Sequence, residues 1–242
     1  MCGITGLVSS GVTKYVWELF LRVWSSMELR GTDASGIAIW LDDDRFFIVK
    51  QPVPASVLAS KIERLRIPLD EVRVAIAHAR AATSGTPLNN ENNHPIYEVL
   101  GNELIAVVHN GHVSSYKLNK KRDVDTDYFL GLVRERKEFS DDIIKDTLDA
   151  VYGNYAILMS NGKTLYFARN SNPLEMVQFD DGSILFASQF YDDVIKDLKK
   201  YVMDVEPYKL YKADDRSGEV KLVSELLRTY TFTYGYGVKS YE

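Results

Sequence analysis

The sequence predicts an α+β fold in which antiparallel sheets are covered by helices. Three observations predict it: apolar segments of strand length, amphipathic segments of helix length, and their order along the chain. One strand is followed by helices and then by runs of strands joined through short turns, rather than by regular strand–helix alternation. The 242 residues contain no repeat or long linker, so we expect a single domain spanning residues 1–242.

The first half of the chain contains two predicted helices and five predicted strands. Residues 12–29 carry apolar side chains at helical spacing, and Gly31 lies just beyond their end. A second helix is predicted over residues 55–65, before Pro68. Strand-forming apolar segments occupy residues 2–8, 35–40, 45–50, 72–78 and 104–108. The three aspartates at 42–44 predict a hairpin between the second and third of these strands.

The second half predicts three further helices and four strands. The helical segments are residues 125–137, 141–151 and 191–200. The strands are residues 155–160, 164–168, 175–179 and 183–187, and short turns such as Asn161-Gly162 predict hairpins between them. Residues 229–241 are rich in aromatic side chains and glycine, which favours an edge strand over a partner-binding segment.

Composition and charge argue against several classes of function. A net charge of −5 provides no electrostatic reason to expect nucleic acid. No apolar run approaches the roughly 18 residues needed to span a bilayer. The N-terminus lacks the basic region and apolar core of a secretory signal. We therefore expect a cytoplasmic protein that binds neither nucleic acid nor membrane.

Cys2 is the only cysteine and directly follows Met1. A thiol has an ordinary pKa of about 8.5, so attack near neutral pH requires a base. Removal of Met1 would leave an α-amine on Cys2, and an α-amine with a pKa of roughly 7.7–8.0 can act as that base. From position alone, a buried and inert thiol is an equally good interpretation.

Four polar clusters follow predicted strands and helices, where a rigid scaffold commonly holds catalytic groups. They occupy residues 30–36, residues 78–85 with 93–95, residues 109–112, and residues 125–127. Taken singly, each also has a structural explanation as a surface ion pair, a turn or a helix cap. The four histidines form no compact ligand motif, so we expect no metal and no other cofactor.

Together the clusters predict hydrolysis of an amide on an amino-acid substrate. Cys2 would attack the carbonyl carbon, and the Asn110 amide and Gly111 backbone N–H are suitable donors to the resulting oxyanion. Arg80 is a candidate to bind the α-carboxylate with two parallel hydrogen bonds. Asp125 is a candidate partner for the α-ammonium group.

At this point the sequence resembles the class II glutamine amidotransferases, which have the N-terminal-nucleophile hydrolase fold. It is most similar to the glutaminase domains of glucosamine-phosphate synthase and glutamine phosphoribosyl-pyrophosphate amidotransferase. Six motifs occur in the order of that family. They are Cys2-Gly3-Ile4, Arg30-Gly31-x-Asp33-x-Ser35-Gly36, His78-x-Arg80-x-x-Thr83-x-Gly85, Asn93-His94-Pro95, His109-Asn110-Gly111 and Asp125-Thr126-Asp127.

The resemblance implies a four-layer αββα sandwich of two antiparallel sheets. It also implies a catalytic group (Cys2 as nucleophile and N-terminal base, Asn110 and Gly111 as the oxyanion hole), a glutamine-binding group (Arg80, Thr83 and Asp125) and a supporting group (Arg30, His78, His94 and His109). Four positions depart from the family pattern and put substrate preference in doubt more than reaction class. They are Ala81, Ser84, His112 and Asp127.

Relatives of this kind continue into a domain that consumes the ammonia, whereas this sequence ends at Glu242. The resemblance therefore implies hydrolysis of L-glutamine, either by a stand-alone glutaminase or by the amidotransferase subunit of a separate synthase. A stand-alone hydrolase of larger γ-glutamyl amides is one alternative, because Ala81 leaves one pocket wall more open. A non-catalytic regulatory protein that retains the fold is the other.

Overall fold

Two antiparallel sheets lie face to face, and helices cover the outer face of each. The computed structural model describes residues 1–227. The apolar side chains between the sheets form one core, and each sheet packs its other face against helices to form two more. The four-layer αββα architecture expected from the resemblance is thereby confirmed.

The first sheet has seven strands in the order β11-β9-β10-β1-β4-β2-β3. Their bounds are β1 Gly3–Val8, β2 Ala34–Leu41, β3 Phe46–Gln51, β4 Val72–Arg80, β9 Glu175–Gln178, β10 Ile184–Ala187 and β11 Met203–Asp204. The predicted hairpin across the aspartates at 42–44 is present, because β2 pairs with β3 through Trp40 and Phe46.

The second sheet has six strands in the order β13-β12-β8-β7-β6-β5. Their bounds are β5 Ile96–Leu100, β6 Glu103–Ser114, β7 Tyr152–Ser160, β8 Thr164–Arg169, β12 Lys209–Asp214 and β13 Val220–Glu225. The edge strands β3 and β5 lie on the same side of the sandwich, where Lys50 Nζ lies 5.1 Å from the ring centre of Tyr97.

The helices pack their apolar side chains against the outer faces of the sheets. They are α1 Lys14–Ser26, α2 Ala55–Glu63, α3 Gly131–Arg136, α4 Asp141–Asp149 and α5 Asp192–Ile195. The Thr13 hydroxyl caps α1 by accepting a hydrogen bond from Val16 N. The fully buried Trp24 of α1 reaches the first sheet and donates from Nε1 to the carbonyl oxygen of His78.

Several sequence predictions need correction. The helix predicted over residues 191–200 is only the single turn α5, followed by a separate 3₁₀ turn at Lys199–Tyr201. The helix predicted over residues 125–137 begins as a 3₁₀ helix, Asp125–Leu130, and becomes α-helical only at Gly131. The short strands β5, β11, β12 and β13 were not predicted.

The predicted run of four hairpin-linked strands is also divided between the sheets. β7 pairs with β8 in the second sheet, whereas β9 pairs with β10 in the first. The predicted edge strand at residues 229–241 lies outside the described residues. Within residues 1–227, no helix is both long enough and apolar enough to cross a bilayer.

The sheet register brings the polar clusters to one end of the sandwich. Gly3, at the start of β1, pairs with Ala79 near the end of β4. Ala34, at the start of β2, pairs with Arg80. In the other sheet, Gly111 of β6 pairs with Tyr155 near the start of β7. The residues just before β1 and just after β4 therefore lie together.

Candidate active site

Cys2 immediately precedes β1, and its backbone and thiol are both held by hydrogen bonds. Arg30 Nε donates to the Cys2 carbonyl oxygen at 2.8 Å. The thiol Sγ lies 3.5 Å from the carbonyl oxygen of Ala81, just beyond β4. Arg30 thus contacts the residue predicted to be the nucleophile, and its supporting role stays a prediction. The next residue, Gly31, approaches the end of β4 so closely that an added Cβ would clash with the backbone of Arg80 and Ala81.

The environment of Cys2 favours the protonated thiol. Burial raises the pKa of Cys2, and the nearby Asp125 carboxylate acts in the same direction. The positively charged N-terminus and Arg80 oppose this increase without reversing it. A thiol with a raised pKa needs a base to become nucleophilic near neutral pH, which is the task that the sequence assigns to the α-amine of Cys2.

Asn110 and Gly111, the predicted oxyanion donors, are consecutive residues of β6. Asn110 is 1% exposed, and its side-chain Nδ2 is buried without a hydrogen-bond partner among residues 1–227. Buried amide nitrogens are almost always bonded, so an unbonded one at this place is a donor available to a ligand. Gly111 has a φ of +148°, and an added Cβ would lie 1.9 Å from Asn154 O, so only glycine fits there.

Arg80 is the last residue of β4, and hydrogen bonds to neighbouring residues hold its guanidinium. The residue as a whole is 2% exposed. Nη1 donates to Asn93 Oδ1 at 2.7 Å, and Nη2 donates to the carbonyl oxygens of Ser84 and Gly85. These bonds engage three of the five guanidinium N–H groups, which fixes the direction of the others. Burial lowers the pKa of Arg80, while the negative charges of Cys2, Asp33 and Asp125 act in the opposite direction.

Asp125 is held by backbone donors at the start of its 3₁₀ helix. Oδ2 accepts from Val113 N at 2.8 Å, and Oδ1 accepts from Thr126 N at 3.0 Å. The side chain keeps 18% exposure, so the carboxylate remains reachable. His112 Nδ1 lies 3.4 Å from Oδ2, although the imidazole itself is 80% exposed. This contact comes from a position where the sequence departs from the family pattern.

The three predicted supporting histidines are buried, and His109 packs edge-on against Phe129 on the helix side of the second sheet. The rings of His78 and His94 stack with their centres 4.0 Å apart. Burial lowers the pKa of His78 to about 3 and holds that of His94 well below its usual value. Burial likewise lowers the pKa of His109 to about 4. All three are therefore uncharged near neutral pH, which fits a structural role.

Thr83 is exposed on the loop that follows β4. Its pocket-lining role stays a prediction. No group of three or more histidine, cysteine or acidic side chains within residues 1–227 is arranged to hold a metal ion.

Sequence reasoning gave no role to three residues that support the site. Asn93 accepts from Arg80, and its motif was quoted without assigning that contact. Asn172 Nδ2 donates to the carbonyl oxygen of Asn110 at 2.7 Å. Thr126 bonds to two buried histidines. Asn93 and Thr126 lie inside the quoted motifs, which is a sequence signal for a role at the site. Asn172 has no such signal, because it contacts Asn110 across 62 positions of the chain.

The family model of class-II glutamine amidotransferases matches residues 1–183. The chain is 32% identical over 204 residues to a glutamine--fructose-6-phosphate aminotransferase of Sulfurisphaera tokodaii, covering 78% of this chain and 33% of that protein. It is 30% identical over 209 residues to the corresponding protein of Helicobacter pylori, covering 78% and 32%. The chain thus spans about a third of the length of these curated relatives.

Solved structures show the same fold. The glutamine phosphoribosylpyrophosphate amidotransferase of B. subtilis superimposes with a TM-score of 0.70 at 21% identity, covering 92% of this chain and 49% of that one. A predicted glutamine amidotransferase of Pseudomonas aeruginosa gives a TM-score of 0.53 at 16% identity, covering 90% and 98%. The resemblance drawn from the six sequence motifs is confirmed, and the chain belongs to the class-II glutamine amidotransferases.

Proposed function

We propose that the chain hydrolyses the side-chain amide of glutamine to glutamate and ammonia through a thioester on Cys2. The observation that carries this proposal is that the thiol lies at the same end of the sandwich as a buried cation and an accessible carboxylate. Gly3 pairs with Ala79, the neighbour of Arg80, and the pKa of Cys2, raised mainly by burial, also responds to the charges of Arg80 and Asp125. An α-amino acid carries one negative and one positive group, so this pair can orient it with its side chain toward the thiol.

In the first half-reaction, Cys2 Sγ attacks the amide carbon. The thiol proton passes to the α-amine of Cys2, and a negatively charged oxygen forms on the tetrahedral intermediate. Asn110 Nδ2 and the Gly111 N–H are the donors proposed for that oxygen. The C–N bond then breaks, the proton goes to the leaving ammonia, and a thioester remains on Cys2. Water attacks the thioester in the second half-reaction and releases glutamate and the thiol.

The mechanism requires removal of Met1, because the peptide bond between Met1 and Cys2 leaves no free amine on Cys2. Met1 is 80% exposed, so this peptide bond is near the surface. Arg30 contacts the carbonyl oxygen of Cys2 rather than its nitrogen, so this support survives the removal.

We further propose that the ammonia is delivered to a separate synthase subunit. The curated relatives are about three times the length of the part that this chain matches, which supports a second functional unit that works with the matched part. A hydrolase of larger γ-glutamyl amides is the alternative. It is favoured by the small Ala81 beside the thiol, because a methyl group leaves room for a larger substituent.

Ammonia release from L-glutamine tests the proposal directly. The protein is first checked by intact-mass spectrometry for loss of Met1, and Cys2→Ala serves as the inactive control. We expect release by the processed protein alone and none by Cys2→Ala. Equal release by the two proteins would contradict catalysis by Cys2.

Arg80→Lys tests the substrate orientation. Lysine keeps the charge but not the planar guanidinium that Asn93, Ser84 and Gly85 hold in place, so the KM for glutamine should rise more than kcat falls. An unchanged KM would contradict carboxylate binding by Arg80. Faster release from an N-substituted γ-glutamyl amide than from glutamine would favour the alternative substrate class.

A further inference from the structure

A buried cluster of three histidines and one threonine connects the segments that carry the proposed site. We define the histidine–threonine cluster as His78, His94, His109 and Thr126, of which none is more than 5% exposed. Thr126 Oγ1 lies 2.6 Å from His94 Nε2 and 3.0 Å from His109 Nδ1. His78 Nε2 donates to the carbonyl oxygen of His109 at 3.0 Å and stacks on His94. The contacts form a closed ring.

Each member of the cluster lies within two positions of a residue that has a role in the proposed mechanism, or of Asn93, which bonds to Arg80. The pairs are His78 with Arg80, His94 with Asn93, His109 with Asn110, and Thr126 with Asp125. These pairs belong to four separate segments: β4, the loop before β5, β6, and the 3₁₀ helix Asp125–Leu130. The ring is therefore the place where the four segments are tied to one another.

The Thr126 hydroxyl limits which nitrogens of the ring carry protons. A neutral imidazole carries one N–H and one lone pair, whereas a hydroxyl has one donor and two acceptor lone pairs. Burial keeps His94 and His109 neutral. The hydroxyl can donate to only one of His94 Nε2 and His109 Nδ1, so at least one of these two nitrogens carries a proton and donates to Thr126 Oγ1.

A proton-transfer role does not fit the cluster. The pKa of His78 is lowered to about 3 and that of His109 to about 4, both mainly by burial, so neither takes up a proton near neutral pH. A positioning role fits better, because the backbone of Thr126 also donates to Asp125 Oδ1. One residue thus contacts the carboxylate through its backbone and the oxyanion strand through its side chain.

We propose that Thr126 is a positioning residue whose hydroxyl holds Asp125 and Asn110 in mutual register by joining His94 to His109. The inference rests on the proposed function for the roles of Asp125 and Asn110. The position of the ammonium group relative to the oxyanion donor determines where the amide carbon lies. A displacement of about 1 Å in such a geometry can cost on the order of 100-fold in rate.

Thr126→Val and Thr126→Ser form a matched pair for the test. Valine keeps the shape and loses the hydroxyl, whereas serine keeps the hydroxyl. We expect Thr126→Val to lower kcat/KM for glutamine by about 10- to 100-fold, with a decrease in kcat as well as an increase in KM. Thr126→Ser should remain within about threefold of the wild type. Equal losses in both variants, or no loss in Thr126→Val, would overturn the proposal.

A control separates positioning from general stability. Ile144→Val removes one methyl group from the fully buried side chain of α4, in the core outside the second sheet. It should lower the unfolding midpoint and leave kcat/KM unchanged. If Ile144→Val reduces kcat/KM as much as Thr126→Val at a matched loss of stability, the role of Thr126 is only structural.

Nitrogen NMR of the imidazoles tests the ring without any activity measurement or variant. At pH 7 the wild-type protein should show all three cluster histidines uncharged, with a proton on at least one of His94 Nε2 and His109 Nδ1. A charged His94 or His109, or a lone pair on both of those nitrogens, would overturn the proposal. Absence of ammonia release with the expected NMR result would instead contradict only the proposed function.

Discussion

Arg30 Nε donates a 2.8 Å hydrogen bond to the carbonyl oxygen of Cys2, the residue that carries the proposed nucleophile. Cys2 precedes β1, so the ladder of the first sheet does not hold it as it holds Gly3. The Arg30 guanidinium and the contact between Cys2 Sγ and Ala81 O restrain Cys2 instead. The position of the thiol therefore depends on a side chain 28 residues away.

Replacement of Arg30 should reduce catalysis by releasing Cys2. We expect Arg30→Ala to lower kcat by about 10- to 100-fold, because the thiol and the α-amine would sample non-productive positions. Steady-state ammonia release measures the change. Arg22→Ala, an exposed position on α1, is the matched control and should leave kcat unchanged. A similar decrease in both variants would contradict a local role for Arg30.

Asn110→Ala should reduce catalysis with little loss of stability. Loss of one oxyanion donor typically lowers kcat by about 10²- to 10³-fold. The Asn110 Nδ2 has no hydrogen-bond partner within the described part of the chain, so its removal breaks no hydrogen bond there. We expect the free energy of unfolding, measured in denaturant, to fall by about 1 kcal/mol or less.

Asn170 is the matched control for that prediction. Its Oδ1 accepts from Tyr155 N at 2.7 Å, and its Nδ2 donates to Gly153 O at 2.7 Å. Asn170→Ala should therefore lower the free energy of unfolding by about 1–3 kcal/mol. A greater loss of stability in Asn110→Ala than in Asn170→Ala would show that the Asn110 side chain is a structural element.

His112 should weaken substrate binding by competing for Asp125. Its Nδ1 lies 3.4 Å from Asp125 Oδ2, on the carboxylate proposed to receive the α-ammonium group. Exposed pairs of this kind contribute about 1 kcal/mol or less, so His112→Ile should lower the KM for glutamine by about two- to fivefold with kcat unchanged. An increase in KM would show that His112 instead orients Asp125. Substrate titrations at constant pH distinguish the two results.

Acid should destabilise the fold before the carboxylates are protonated. The pKa values of His78 and His109 are lowered by burial from 6.5 to about 3 and about 4. The unfolded chain takes up protons below pH 6.5 that the folded chain excludes, so stability is complete above that pH and is lost toward the folded pKa values. Each histidine contributes a loss of about 1.4 kcal/mol per pH unit in this range.

Denaturant unfolding at pH 7.0, 6.0 and 5.0 measures that loss, because ordinary carboxyl groups remain ionised there. His78→Asn should flatten the dependence in the same range. A free energy of unfolding that is constant from pH 7.0 to 5.0 would contradict the burial of three neutral histidines.

The fold class and much of the site could be predicted from sequence because their signals are local. The helical spacing of residues 12–29 is present in the structure as α1, and the strand predicted over residues 155–160 as part of β7. Cys2, Asn110 and Asp125 were selected by residue type and motif, which need no coordinates. The short strands β12 and β13 were missed because their side chains are largely half-buried or exposed and lack a continuous apolar face.

The helix predicted over residues 191–200 shows where local patterning is insufficient. Only Ile195 of α5 is buried, so most of the segment gains little from helical packing. A helix of this length is marginal without such packing, and the chain there forms two short turns instead. The division of β8 and β9 between different sheets has a related cause, because pairing depends on distant strands and not on the turn between neighbours.

The sequence by itself determined which reactive groups the chain has and which family it belongs to, since both depend on residue identity and order. Only the tertiary structure decided that Arg30 holds Cys2, that Asn93 and two carbonyl oxygens hold Arg80, and that Thr126 joins two histidines. These contacts link positions far apart in the chain. They form because burial removes water as the competing partner, and each buried polar group must then find its hydrogen bond within the protein.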